Sequence, residues 1–353
     1  MMMIGHPTLL TLPLLAVSPP SLPAPARVPV LTCGALGSEP TFRVPIVTFV
    51  LAMSIGLITA ASKTKVPALS LAQLGGSAAL PTSVLLIIRT AFASTIAYSL
   101  YSSLTDRNPH VFTLMTYSGS RLTPCAVPVT GFERLTTFTV QCWTLQLLYF
   151  SLGTVASALQ LSRSSFRVPV LFARCMHVLY EVSVATALLV TVTVTFVLLP
   201  ERIKRADYEG ARRMLGWRPQ LMHNANLLFA TTELLFNSLP IVPSHFVFGA
   251  LFAVQYAFMS WWWLKRSGVV YYPFLDPTLP AGRAISLHTA VLVVLAAFFL
   301  LGAAVDGAAG FLPLGVRAPL LYAAACSLMW TSFIRGRPGQ LASSEEDQSR
   351  SSE

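Results

Sequence analysis

Residues 178–199 read VLYEVSVATALLVTVTVTFVLL, an unbroken apolar run whose only charge is Glu181. A run of this length matches what one helix needs to cross the roughly 30 Å hydrocarbon core of a bilayer. In lipid no water is available to the backbone, so such a segment must satisfy its own N–H and C=O groups and is read as a helix. Working outward, seven more stretches fit the same description: 44–61, 83–101, 136–157, 222–239, 246–264, 285–304 and 318–334. Composition agrees. Hydrophobic residues make up 54% of the 353-residue chain and charged residues 11%, against roughly 25% charged in soluble domains. This excludes a water-soluble enzyme, a disordered chain and a secreted disulfide-rich module. The expected fold is all-α, a polytopic transmembrane helix bundle over residues 44–334.

The flanks read differently. Residues 1–43 are rich in proline, which regular helix does not tolerate, and they are expected to be a disordered leader. No Lys or Arg precedes the apolar run Leu9–Val17, so the leader lacks the basic region of a signal peptide. Residues 335–353 form a polar, charged tail, also expected to be disordered. The net charge of +10 suggests nucleic acid at first sight. No basic stripe interleaves with aromatics outside the spans, however, so no nucleic-acid partner is expected. With eight spans, seventeen of the 24 Lys and Arg fall on the side of the termini, which the positive-inside rule assigns to the cytosol. The five cysteines, Cys33, Cys125, Cys142, Cys175 and Cys326, follow no metal or redox spacing and read as core fillers.

Ionisable groups inside spans are costly and therefore candidates for function. Three stand out: Arg89, His223 and Glu233. On an ideal helix entering from the cytosol, His223, Asn226, Glu233 and Asn237 share a broad polar face, with His223 at the mouth and Glu233 about 15 Å deeper. Arg89 and Glu233 lie at similar depths, so a buried pair between them is geometrically allowed. On the span from 136, Thr139 and Gln146 are seven residues apart and nearly in line, with Thr139 near the depth of His223. A hydroxyl beside an imidazole is the minimum for a base-activated nucleophile. The same residues also have structural readings: a Thr bonding the carbonyl one turn back, a solvated interfacial His, and an Arg–Glu brace between helices. The Trp261–Trp263 triplet and Tyr271-Tyr272 fit an interfacial aromatic belt. His288, Arg174, His177 and Glu181 read as structural or interfacial.

No GxSxG elbow, HExxH zinc helix, Walker loop or Rossmann fingerprint is present. Three patches nonetheless resemble the androgen-induced and androgen-dependent family of multi-pass membrane proteins, which includes threonine hydrolases of fatty acid esters of hydroxy fatty acids. One is Phe138-Thr139 with Trp143-Thr144-Leu145-Gln146 and Tyr149-Phe150. A second is His223 followed ten residues later by Glu233. The third and most specific is Gly268-Val269-Val270-Tyr271-Tyr272-Pro273-Phe274-Leu275-Asp276. The resemblance covers about residues 83–305, a six-helix core, with the first and last spans as additions.

The resemblance implies Thr139 as nucleophile and His223 as base. Arg134-Leu135-Thr136 is also similar to the family's lead-in, which makes Thr136 a second candidate nucleophile. If both are helical, they share a face. Oxyanion donors are open among Gln146, Asn226 and Tyr272. The implied activity is hydrolysis of a lipid ester within the membrane, with no metal and no organic cofactor. The competing expectations are a transporter or channel lined by Arg89, Glu233 and Asn226, and a non-enzymatic membrane scaffold. Endoplasmic reticulum, other endomembranes and plasma membrane are all compatible with the sequence.

Overall fold

A computed structural model describes residues 42–67, 69–113, 116–122, 126–162, 167–205, 207–309 and 311–335. The Pro-rich leader up to residue 41 and the tail from 336 lie outside the described residues, as do Cys33 and Cys125. Helix α1 (Val44–Lys63) is followed by the short α2 (Leu71–Gly75) and by α3 (Thr82–Thr105). An antiparallel hairpin comes next, β1 (His110–Thr113) with β2 (Ala126–Val129). A 3-10 turn, Gly131–Thr136, leads into α4 (Phe138–Leu161). Helix α5 (Val170–Thr193) continues through a π turn, Val194–Leu198, into α6 (Leu199–Lys204), and α7 (Tyr208–Met214) lies beyond it. Then α8 (Trp217–Gln220), a second π turn (Leu221–Ala225) and α9 (Asn226–Phe236) form one continuous helical path. The chain ends with α10 (Phe246–Ser267), α11 (Ala281–Ala309) and α12 (Leu314–Arg335).

The all-α bundle is as expected, but the count of apolar spans is corrected. Among the described residues six helices are long and apolar enough to cross a membrane: α1, α3, α4, the 35-residue path Val170–Lys204, Pro243–Ser267 and Ala281–Ala308. The 217–236 path falls short because Arg218, His223, Asn224, Asn226, Thr231, Thr232 and Glu233 lie along it. Protein takes the place of lipid around much of it, and Asn224, Asn226 and Glu233 are buried. Helix α12 carries Arg317 and an internal Pro319 and is the more amphipathic for it. Helix α5 sits at the centre, against α4, α9, α10 and α11. Outward-facing apolar side chains such as Ile55, Ile58, Ile87 and Val293 leave an oily perimeter, which suits a lipid surround.

The core-filler and belt expectations are corrected in part. Cys142 is buried, but Cys175 and Cys326 are exposed, so the core-filler reading holds only for the first of these. Trp261 and Trp263 are buried and only Trp262 projects outward, so most of the triplet packs rather than anchors.

The interior holds the anticipated ion pair. Arg89 Nε meets Glu233 Oε1 at 2.8 Å, and Nη2 meets Oε2 at 3.0 Å. The remaining guanidinium hydrogens go to the Leu74 carbonyl and Ser157 Oγ, both at 2.9 Å, the Gly153 carbonyl at 3.3 Å and the Tyr149 hydroxyl at 3.4 Å. Tyr149 donates its hydroxyl to Glu233 Oε2 at 2.7 Å. Gly153 makes room for this arrangement, because a Cβ there would lie 3.1 Å from Arg89 Cδ. Beside the pair, Phe92 stacks on Phe229 with ring centroids 4.0 Å apart, and Trp143 Nε1 donates to Ser99 Oγ at 2.7 Å.

The helices alternate in direction, so loops gather at two ends. One end joins the start of α1 to the loop after α10, with Arg43 Nε donating to the Thr278 carbonyl at 3.0 Å. It also contains the hairpin, the 3-10 turn and α6 to α8. The opposite end joins the loop after α1 to α5, with Arg174 Nε donating to the Val66 carbonyl at 3.0 Å.

Candidate active site

At the first end lies a cavity of about 370 Å³, within the range of small-molecule sites. Its walls come from the end of α3, the hairpin, the start of α4, the α6–α8 region and the loop after α10. Thr139, His223 and Tyr272 all line it. Thr139 and His223, the residues that the resemblance suggests as nucleophile and base, are therefore brought to one cavity from helices distant in sequence.

Thr139 is the second residue of α4. The turn before it is fixed from two sides. Arg134 donates to the carbonyls of Ser103, Asp106 and Asn108 at the end of α3. Tyr256 of α10 donates to the Thr136 carbonyl at 3.1 Å. Thr136 belongs to the 3-10 turn and not to the helix, so the shared helix face expected for Thr136 and Thr139 is not formed. The Thr136 hydroxyl meets the Glu133 carbonyl at 2.5 Å and the Tyr271 hydroxyl at 2.9 Å, and Thr136 does not line the cavity.

His223 occupies the π turn Leu221–Ala225. Thr191 of α5 holds this turn, donating its hydroxyl to the His223 carbonyl at 2.6 Å and to Asn226 Oδ1 at 3.1 Å. The His223 ring nitrogen Nδ1 is buried and has no hydrogen-bond partner among the described residues. Gln146 donates to the Asn226 carbonyl at 3.2 Å. Gln146 and Asn226 thus sit behind the cavity and support it, while Arg89 and Glu233 belong to the interior brace. Of the three candidate oxyanion donors, only Tyr272 reaches the cavity wall.

The segment Gly268–Asp276 places that tyrosine. Gly268 ends α10 with a left-handed φ of 76°, its N–H returning to the Leu264 carbonyl at 2.8 Å, a conformation glycine adopts without strain. Trp261 Nε1 donates to the Leu275 carbonyl at 3.1 Å, and Asp276 accepts from Ser120 Oγ at 2.5 Å and from the Thr278 N–H at 2.7 Å. Burial pushes the Tyr272 phenol up to about 12, and a hydrogen bond with the Thr139 side chain draws it partly back. Tyr271 is likewise raised, chiefly by burial.

The rest of the lining is strongly basic: Arg134, Arg202, Arg213 and Arg218 against Asp106. Arg218 pairs with Asp106, and that hydrogen bond is the main cause of its lowered carboxylate pKa. His110 on β1 is pushed down to about 4, first by burial and then by the positive field of Arg134, Arg213 and Arg202. It is therefore neutral at physiological pH. Sequence reading treats Arg202, Arg213 and Arg218 only as orientation charges, and Arg134 only as that and as part of the lead-in to Thr136. The available signal is the position of Arg134, within the turn that leads to the helix of Thr139; nothing local marks the others. No family model, curated protein or solved structure matches the chain.

Proposed function

We propose that the chain is a membrane-embedded hydrolase of lipid esters, acting as the androgen-induced and androgen-dependent family hydrolases do, with Thr139 as nucleophile and His223 as base. The observation that carries this reading is the convergence of Thr139, His223 and Tyr272 on one cavity. An ester lipid keeps its chains in the bilayer and presents its carbonyl at the cavity. His223 takes the Thr139 proton, the alkoxide adds to the carbonyl carbon, and charge develops on the carbonyl oxygen. Tyr272, already against Thr139 and held protonated, donates to that oxygen. The adduct collapses to an acyl-threonine as the alcohol leaves with the proton from His223. A water then loses a proton to His223 and attacks the acyl group, and the adduct frees the fatty acid as His223 returns the proton to the Thr139 oxygen.

The basic end that holds the cavity faces the cytosol in this reading, in line with the positive-inside rule. Arg89 and Glu233 act as a brace and not as a polar path, because each guanidinium donor is already engaged within the protein.

The test uses detergent-purified protein, a fluorophosphonate probe and release of fatty acid from a panel of lipid esters. Labelling and turnover should be lost in Thr139→Ala and His223→Ala and retained in Thr136→Ala. Folded wild-type protein that neither labels nor turns over any ester would refute the proposal.

A further inference from the structure

We propose that His177, Glu181 and His245, at the end of the bundle opposite the cavity, bind a divalent transition-metal ion of the zinc class. This inference is independent of the hydrolase reading. The three side chains are buried, with relative exposures of 0%, 1% and 0%. Each offers a ligand atom, and these atoms all lie within 4.8 Å of one another. Two imidazoles and a carboxylate are the donor set that borderline metals such as zinc prefer, at bond lengths near 2.0–2.2 Å.

The tautomers favour coordination. His245 Nε2 faces the Lys65 carbonyl at 3.1 Å. A carbonyl only accepts, so Nε2 carries the hydrogen, and in the neutral ring Nδ1 is left as a lone pair. That lone pair lies 2.7 Å from Glu181 Oε2. Two electron-rich atoms at this distance require a cation, either a proton or a metal. His177 Nε2 lies 3.5 Å from Glu181 Oε1 and 2.7 Å from the Pro240 carbonyl, and its Nδ1 is buried without a partner among the described residues. By the same rule the His177 hydrogen sits on Nε2, toward the Pro240 carbonyl, and its Nδ1 is the lone pair. A proton on His245 would satisfy one contact and leave that lone pair without a partner among the described residues, whereas a metal engages both rings and the carboxylate. The backbone carbonyl behind His245 is the usual outer-shell device that orients a metal-binding imidazole.

The consequence is mechanical. His177 and Glu181 stand one turn apart on α5, His245 lies in the turn that opens α10, and Lys65 comes just after α1. Glu181 also accepts from the Val242 N–H at 2.7 Å. An ion here clamps α5 to the turn that opens α10 and, through the His245 ring, to the chain just after α1, at the end remote from the cavity. In sequence, only the His177–Glu181 spacing of one helical turn hints at it; the third ligand arrives from 64 residues further on.

The full chain, purified in detergent with any polyhistidine tag removed, would be loaded with zinc or cobalt(II), desalted and assayed for bound metal. The expected result is about one equivalent of metal, with a visible cobalt spectrum that zinc abolishes. Glu181→Gln and His245→Gln should each lose the spectrum and the bound metal, while His110→Gln, at the other end, keeps both. The cobalt spectrum of wild type needs no variant, so a misfolded mutant does not decide the matter. Folded wild type that retains no metal and shows no cobalt spectrum would overturn the proposal and leave a proton as the occupant. Metal that persists in both Glu181→Gln and His245→Gln would overturn it too.

Discussion

Replacing Glu233 by Leu tests whether the Arg89 pair braces the bundle. The carboxylate accepts two bonds from Arg89, at 2.8 and 3.0 Å, and one from Tyr149 at 2.7 Å. Without it, a fully buried guanidinium keeps only the Leu74 and Gly153 carbonyls, Ser157 Oγ and the Tyr149 hydroxyl at 3.4 Å, all neutral acceptors. Removing one partner of a buried pair costs about 3–5 kcal/mol, because the charge left behind is uncompensated. At about 2 °C per kcal/mol for a chain of this size, the thermal midpoint in detergent should drop by about 6–10 °C. The companion variant Arg89→Met/Glu233→Leu removes both charges and leaves only neutral groups with a lost partner, the Tyr149 hydroxyl, the Leu74 and Gly153 carbonyls and Ser157 Oγ. It should be more stable than Glu233→Leu alone, since apolar replacement of a whole buried pair is often neutral. Thermal unfolding followed by tryptophan fluorescence reads both. A single variant within about 1 kcal/mol of wild type, or a double variant that loses the sum of the two singles, would refute the brace.

Three further outcomes concern the cavity. Tyr272→Phe should lower kcat about 100-fold with little change in KM, as expected for a donor engaged mainly in the transition state; an unchanged kcat assigns the oxyanion elsewhere. Thr191→Val removes the donor to the His223 carbonyl, so it should cost about 1 kcal/mol of stability and reduce turnover while leaving the protein folded, measured by unfolding and ester hydrolysis together. His110 is depressed from 6.5 to about 4 by burial and neighbouring arginines. Above pH 6.5 neither folded nor unfolded chain binds its proton. Between 6.5 and about 4 the unfolded chain binds it first, so stability declines as pH falls through that window. His110→Gln should flatten this decline, and an unaltered pH profile would show that His110 is not its source.

Much of this architecture is legible in the chain because lipid is a severe solvent. The apolar runs over Val44–Lys63 and Val170–Thr193 admit one solution, a helix, and the structure places helices there. The Arg89–Glu233 pair is legible for the same reason, since two opposite charges at equal depth have few alternatives to meeting. What the pattern of hydrophobicity does not encode is which residues surround a polar helix. Residues 222–239 read as a span in sequence, yet the observed 217–236 path is polar along much of its length and is tolerated because α4, α5 and α12 shield it. Nor does periodicity show where a helix begins. Thr136 sits in a 3-10 turn because the Arg134 side chain ties that turn to the Ser103 carbonyl and Tyr256 donates to the Thr136 carbonyl, and neither contact is local in sequence.

The second π turn explains why one helical path serves both the brace and the cavity. On an ideal α-helix, His223 shares a face with Asn226 and Glu233, and all would turn toward the same neighbours. The turn Leu221–Ala225 takes up one residue more than an α-helical turn does. At about 100° per residue, one extra residue rotates the helix on its two sides relative to each other by roughly a quarter of a turn. Glu233 can therefore face Arg89 in the interior while His223 faces the cavity. The widened turn also frees backbone carbonyls, and Thr191 supplies the donor that the His223 carbonyl then needs. The first π turn, Val194–Leu198, lies on the adjoining element, and its last residue, Leu198, lines the same cavity. Both departures from regular helix thus border one site, and the rotation they introduce separates the proposed base from residues that hold the bundle together.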